Sequence, residues 1–326
     1  MGTGAGVCLR LYILSNRGQG WAGEPNRCDT CVALPFFSSS EVGATAVRLL
    51  PGQRNTHKTM KQILCMKWGT AYSAKDVNIL YGMVSRNVSG EFRFYCFTDD
   101  ESGIREEVTC LPLPELGCEI PKDVPGKWPK SALWGKELFG LEGVALFIDL
   151  DTVIVDNIDG YFEYGDPQDV ITARNWLYFR KSAQTSVFRF PIGGHAYMLE
   201  NLRADSVGIS RKYRFEQNYV THGVKGGVKF WPEDWTKHFR VHCMGTALTR
   251  YFRPPVVPRG AKMITFPGIP KPENAAQGKW KPHEPVRTPT EHLKWVGTQL
   301  LGGKKWRRHL SRYIQKADWV GEHWRA

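Results

Sequence analysis

Val144-Ala145-Leu146-Phe147-Ile148-Asp149-Leu150-Asp151-Thr152-Val153-Ile154-Val155 is an apolar run broken by two carboxylates one residue apart. The part before the break is short, apolar and rich in β-formers, which reads as a buried strand of a parallel sheet. Side chains alternate along an extended chain, so Asp149 and Asp151 point one way and Leu150 the other. Open α/β sheets bind ligands at the carboxyl ends of their strands. Carboxylates are costly to bury unless paired or metal-bound. Two of them converging at a strand end suit a divalent cation that keeps waters and binds phosphate oxygens.

Working outward, a strand is expected over 62–68. Ser73-Ala74-Lys75-Asp76 reads as a capping box, and Val77, Leu80, Tyr81 and Val84 follow at helical spacing. Further strands are expected over 93–97 and 108–113. Pro129 suits the first turn of a helix running toward Phe139. This β-α-β-β-α-β order implies an α/β protein with a Rossmann-like mixed central sheet flanked by helices. Beyond Asp159, strands are expected over 170–173, 186–190, 196–199, 229–231, 239–242 and 263–266, with a helix over 199–213. Pro and Gly between 254 and 289 imply irregular loops. Residues 1–59 are rich in Gly, Ser, Arg and Thr and read as a loose leader, with Met60 as the natural start. The expected division is a leader over 1–59, a catalytic domain over 60–300 and a basic, aromatic tail over 301–326.

A hydrophobic content of 42% is that of a globular chain, and the net charge of +12 favours anionic partners. The eight cysteines are scattered, and Cys65 and Cys96 sit inside apolar runs. That pattern fits free thiols in a reducing compartment better than a disulfide scaffold. Cys28-Asp29-Thr30-Cys31 is a lone CxxC with no second pair at zinc-site spacing. No apolar stretch approaches the ~20 residues of a membrane span, and no secretory signal opens the chain. A cytoplasmic protein is expected, and the Asn87-Val88-Ser89 sequon then carries no weight.

The wording from Phe147 to Ile158 resembles that of glycosyltransferase family 8, the glycogenin and bacterial lipopolysaccharide galactosyltransferase type with a GT-A fold. Glu216-Gln217 stands where those enzymes have an Asp-Gln pair near the reacting sugar. Lys229-Phe230-Trp231-Pro232-Glu233-Asp234-Trp235 resembles the strand and turn that follow. Phe266-Pro267-Gly268-Ile269-Pro270-Lys271-Pro272 resembles the family's His-x-Gly-x-x-Lys-Pro signature. The resemblance implies a retaining transfer of a hexose from a UDP-sugar to a glycan or lipid-linked acceptor. Asp149 and Asp151 would hold Mn²⁺ or Mg²⁺, and Lys271, beside Gly268, would bind the diphosphate. Lys127 or Lys130 would assist. Trp68-Gly69-Thr70-Ala71-Tyr72 and Asp100 would meet the nucleoside, with Trp68 or Tyr72 stacking on the base. Gln217 would stabilise the oxocarbenium-like state, and Gln184-Thr185-Ser186 would form a polar sugar-binding edge. Phe266 replaces the family's third metal ligand; His222 and His242 are the candidate substitutes.

Two other readings stand beside this one. A metal-dependent nuclease or phosphohydrolase would need more acidic or His ligands near the aspartates. A binding protein on a GT-A scaffold would keep the site without turnover. No nucleic-acid partner is expected. The tail places Trp306, Leu310, Tyr313 and Ala317 at near-helical spacing among lysines and arginines. That suits a helix lying on the anionic inner face of the cytoplasmic membrane, or a terminal helix docked on the core with a solvated charged face.

Overall fold

The computed structural model describes residues 60–176, 182–301 and 306–326. The expected leader, with Cys8, Cys28 and Cys31, lies outside the described residues. The strands are β1 (Lys61–Lys67), β2 (Phe92–Thr98), β3 (Thr109–Leu111), β4 (Val144–Ile148), β5 (Thr152–Ile154), β6 (Ile171–Arg174), β7 (Ala183–Pro191), β8 (Lys229–Phe230), β9 (Thr236–His238) and β10 (Met263–Thr265). Seven of them form one mixed sheet in the order β3-β2-β1-β4-β7-β6-β8. β3, β2, β1 and β4 run parallel, and β7 lies antiparallel to β4 and β6. β5, β10 and β9 form a second, three-stranded sheet.

The central strands are apolar on both sides because both faces are covered. Ile63 and Cys65 of β1 join one core with Val77, Leu80 and Met83 of α1 (Ala74–Asn87). Leu64 and Met66 join a second core on the opposite face, with Phe147, Trp134 and Phe188. A parallel sheet covered on both faces reads as continuous hydrophobic strands. The expected cap of α1 is present: the Ser73 N–H donates to the Asp76 carboxylate at 2.8 Å.

β1 has β2 on one side and β4 on the other, so chain order reverses between β1 and β4. The crevice beyond their carboxyl ends is the topological switch point of the sheet. Trp68 leaves β1 there, and Asp149 leaves β4.

The remaining helices are α2 (Gly160–Glu163), α3 (Tyr197–Ala204), α4 (Ser206–Tyr213), α5 (Glu216–Gly223), α6 (Pro272–Ala276), α7 (Pro289–Leu301), α8 (Trp306–Leu310) and α9 (Asp318–His323). Among the described residues no helix is long and apolar enough to cross a membrane.

Several local expectations differ from the fold. The helix after Pro129 is a 3-10 turn, Trp128–Trp134, that stops well before Phe139. The segment 196–199 is not a strand. Met198, Leu199 and Leu202 are buried together on one side of α3, which is a helical period. The helix expected over 199–213 is broken at Asp205, whose carboxylate caps α4 by accepting the Gly208 N–H at 2.8 Å. The strand expected over 239–242 lies just before it, as β9, and Phe239–Cys243 form a π-helical turn. The Pro- and Gly-rich stretch contains both β10 and α6. The tail is two short helices rather than one, and Tyr313, Ile314, Ala317 and Val320 are buried in the fold. These four side chains are covered by protein, as when a terminal segment docks on a core, and the Trp306 side chain lies outside the described residues.

Candidate functional site

The two aspartates do not sit on an extended strand. β4 ends at Ile148, and Asp149 to Thr152 form a tight turn in which the Thr152 N–H donates to the Asp149 carbonyl at 3.1 Å. The Asp149 N–H donates to the Ser186 carbonyl at 2.7 Å, and the Phe266 N–H donates to the Asp151 carbonyl at 3.0 Å. These bonds fix the turn between β7 and the end of β10. Leu150 is buried in the core, while both carboxylates line one cavity of about 570 Å³. The convergence expected from strand alternation is thus produced by a turn.

The same cavity is lined by Trp68 and Tyr72 from the turn after β1, and by Lys127 and Lys130 from the 3-10 segment. Gln184, Thr185 and Ser186 of β7 form one wall, and Glu216 and Gln217 at the start of α5 another. Gly268 and Lys271, after β10, close it. Gly69, Thr70 and Asp100 are not among the lining residues. The Gly69 N–H is bonded to Asp99, and Asp100 faces a separate depression with Thr98 and Leu113.

Each aspartate has an ammonium partner. Lys130 Nζ lies 2.8 Å from Asp149 Oδ1 and donates to the Thr185 carbonyl at 2.9 Å. Its side chain is 4% exposed and also lies over the Phe147 ring. Lys271 Nζ lies 2.6 Å from Asp151 Oδ2, which also accepts the Tyr72 hydroxyl at 2.8 Å. Burial pushes the Tyr72 hydroxyl up, and the Asp151 carboxylate pushes it the same way. Asp149 keeps 28% of its side chain exposed to the cavity while protein surrounds the rest. Desolvation raises its pKa, Lys130 opposes that rise, and Asp151 adds to it.

Glu216 is deeper still, at 3% exposure. Its Oε2 accepts the Thr185 hydroxyl at 2.7 Å, and its Oε1 has no hydrogen-bond partner. Burial pushes its pKa up to about 7, against the pull of Lys130 and the Thr185 hydroxyl. Such a group sits poised between acid and base near neutrality.

Phe266 is not a cavity residue. It is buried and stacked on Phe239 with centroids 4.3 Å apart. Neither candidate substitute for the missing imidazole reaches the site. His222 stacks on Tyr213, and His242 accepts the His238 N–H while packing against Trp176. Among the described residues no group of three His, Cys, Asp or Glu side chains converges on one point. Two carboxylates in a cavity of this size still fit a cation completed by substrate oxygens and water, the usual way Mg²⁺ is held.

Sequence reasoning found Ala71 in the nucleoside turn but missed the rest of the apolar lining, among it Met66, Gly126, Phe215 and Ile269. Gly126 had a detectable signal, as a glycine beside Pro125 in a loop. It has φ +123°, and a Cβ there would meet Trp128 and the Phe215 backbone at 3.3–3.4 Å.

No known protein-family model matches the chain, and no curated protein matches it. Solved structures similar to it include three glycosyltransferases. The galactosyltransferase LgtC in complex with donor and acceptor sugar analogues is 13% identical with a TM-score of 0.48, covering 76% of this chain and 99% of that one. The bifunctional glycosyltransferase WbbM is 12% identical with a TM-score of 0.48, covering 67% of this chain and 48% of its own. The glycosyltransferase GlyE of Streptococcus pneumoniae TIGR4 is 13% identical with a TM-score of 0.47, covering 82% and 65% respectively.

Proposed function

We propose that this protein is a glycosyltransferase that moves a hexose from a UDP-sugar to a glycan or lipid-linked acceptor, with retention at the anomeric carbon. The carrying observation is the Asp149–Asp151 turn at the sheet's switch point, faced by Lys130 and Lys271 across one cavity. Open α/β sheets bind nucleotides at that place, and the donor set is one for diphosphate.

In this reading Trp68 and Tyr72 bound the base and ribose end. Lys271 exchanges Asp151 for a diphosphate oxygen when donor enters, because it is the more exposed of the two lysines, at 38%. Lys130 stays with Asp149 and holds that carboxylate in place. Asp149 and Asp151 would hold Mn²⁺ or Mg²⁺ together with diphosphate oxygens. When bound, the ion neutralises charge that develops on the leaving diphosphate. The free Oε1 of Glu216 accepts or donates a hydrogen bond to a sugar hydroxyl, according to its protonation. Gln217, a neutral amide, positions the sugar and stabilises positive charge at the anomeric carbon. Work in the cytoplasm at the inner membrane face completes the proposal.

The two-metal nuclease reading gains no support from the site: among the described residues no three His, Cys, Asp or Glu side chains converge on one point. The test is calorimetric binding of UDP, with and without Mn²⁺, to the full chain and to Asp151→Ala. Metal-dependent UDP binding that is lost in the variant is expected. Absence of UDP binding in both metal conditions, with the protein folded, refutes the UDP-sugar assignment.

A further inference from the structure

The connection between β9 and β10 holds apolar side chains in water and is tied down while doing so. Phe252 and Leu248 are 77% and 71% exposed, and Val256 and Val241 are exposed beside them in sequence. Scattered exposed apolar residues need no explanation. This group differs because its backbone is anchored. Arg250 and Tyr251, between Leu248 and Phe252, are anchored to the protein: the Arg250 guanidinium donates to the Ser311 carbonyl and to the Gly245 carbonyl. The Tyr251 hydroxyl donates to the Leu310 carbonyl at 3.0 Å, and its ring stacks on Tyr313 at 4.4 Å. The Val256 N–H donates to the Cys243 carbonyl at 3.0 Å, which ties the returning chain to the π-helical turn that carries Val241. A further bond runs from the Trp319 indole to the Pro255 carbonyl at 3.0 Å. Leu248 and Phe252 are thus presented outward by a fixed turn.

The charge carried by the connection itself has one sign. Between Asp234 and Glu273 the chain has no carboxylate, although carboxylates make up 32 of its 326 residues. Arg240, Arg253 and Arg259 are exposed in that interval. From the C-terminal segment, Asp318 adjoins Trp319, but it is paired with Lys316 at 2.8 Å.

We infer that this face docks on an anionic lipid surface, with Phe252 and Leu248 entering the interface and Arg240 and Arg253 meeting headgroup phosphates. Apolar side chains flanked by cations have that complementarity. A second copy is disfavoured, because the chain carries +12 and the face would meet its own cations. Nucleic acid is disfavoured because, of the four exposed apolar groups, only Phe252 can stack on a base. The face differs from the expected tail, whose Tyr313, Ile314, Ala317 and Val320 are already buried. The inference does not depend on the donor-site reading.

The experiment is co-sedimentation of the full chain with phosphatidylcholine vesicles, with and without phosphatidylserine. The variants are Leu248→Ser with Phe252→Ser, and Arg240→Ser with Arg253→Ser. All four positions are exposed, and circular dichroism checks the fold. The wild type should bind the phosphatidylserine vesicles and lose binding as salt is raised. The apolar pair should weaken partitioning on the order of tenfold or more, and the arginine pair by about 25-fold, at roughly fivefold per charge. Variants that partition like the wild type would overturn the inference. So would a wild type that ignores anionic vesicles, whether its sedimentation coefficient changes in the apolar variant, which points to a protein partner, or it binds single-stranded DNA through Phe252 instead.

Discussion

Replacing Glu216 by Gln should stabilise the protein at alkaline pH and leave it unchanged in acid. Glu216 is buried, with one oxygen bonded to Thr185 and the other unpartnered. Burial lifts its pKa from the usual 4.5 up to about 7. The folded chain therefore holds the Glu216 proton more tightly than the unfolded chain does. Below about pH 4.5 both states are protonated, and the group contributes no pH dependence. Between 4.5 and about 7 the unfolded state has released the proton and the native state has not, so native stability falls as pH rises. Above about 7 the loss is complete. At about 1.4 kcal/mol per pH unit it amounts to ~3 kcal/mol. Gln keeps the acceptor oxygen for Thr185 and has no proton to release. Urea unfolding of the wild type and Glu216→Gln should give stabilities that diverge between pH 4.5 and 7, and differ by about 3 kcal/mol at pH 8, the variant being the more stable. A gap that stays constant across this range, or that favours the wild type as pH rises, would refute the reasoning. Activity should move the other way if Glu216 exchanges a proton with a sugar hydroxyl.

Lys130→Met should cost ~2 kcal/mol, because it strands the Asp149 carboxylate and the Thr185 carbonyl, the exposed part of Asp149 reducing the full buried-charge penalty. Adding Asp149→Asn should recover part of that loss, and strictly additive urea midpoints would contradict the pairing. Phe266→His should lower stability by about 2 kcal/mol, since the ring lies in the core against Phe239. It should not raise Mn²⁺ affinity in calorimetry; a new site of higher affinity would place that side chain in the cavity after all. Asp205→Ala should remove the α4 cap at a cost of ~1 kcal/mol, visible as a lower thermal midpoint and absent in Asp205→Asn.

The parts of this fold that sequence reveals are those where burial repeats locally. β1 and β4 are covered on both faces, so their strands are apolar throughout and the acidic break after β4 stands out. α1 carries both its cap and its period within fourteen residues. Reading fails where distant contacts decide. The segment 196–199 has strand-like residues, yet it packs as a helix because Met198 and Leu199 share a face with Leu202. The tail spacing of Trp306, Leu310, Tyr313 and Ala317 resembles one helix, but Tyr313 stacks on Tyr251, and the Ala317 N–H donates to the Ala275 carbonyl. Those partners lie far away in sequence, and no window centred on the tail contains them.

The site has the same division. The aspartates and the two lysines can each be singled out from the chain, but their pairing cannot: Lys130 lies 19 residues from Asp149, and Lys271 lies 120 residues from Asp151. The pairing matters because it sets the charge that the aspartates and lysines present to the cavity. Two carboxylates with two ammonium partners are close to neutral, so neither aspartate is left as an unpaired buried charge. A diphosphate entering with its own divalent cation preserves that balance, since the cation meets the carboxylates and the phosphates meet the lysines. A diphosphate without a cation must draw Lys271 away and leave Asp151 facing a second anion. A coupling follows from this electrostatic constraint: the cation and nucleotide should bind cooperatively, each raising the affinity of the other. Calorimetry of Mn²⁺ alone, of UDP alone and of the pair gives that coupling, and independent binding of the two would contradict it.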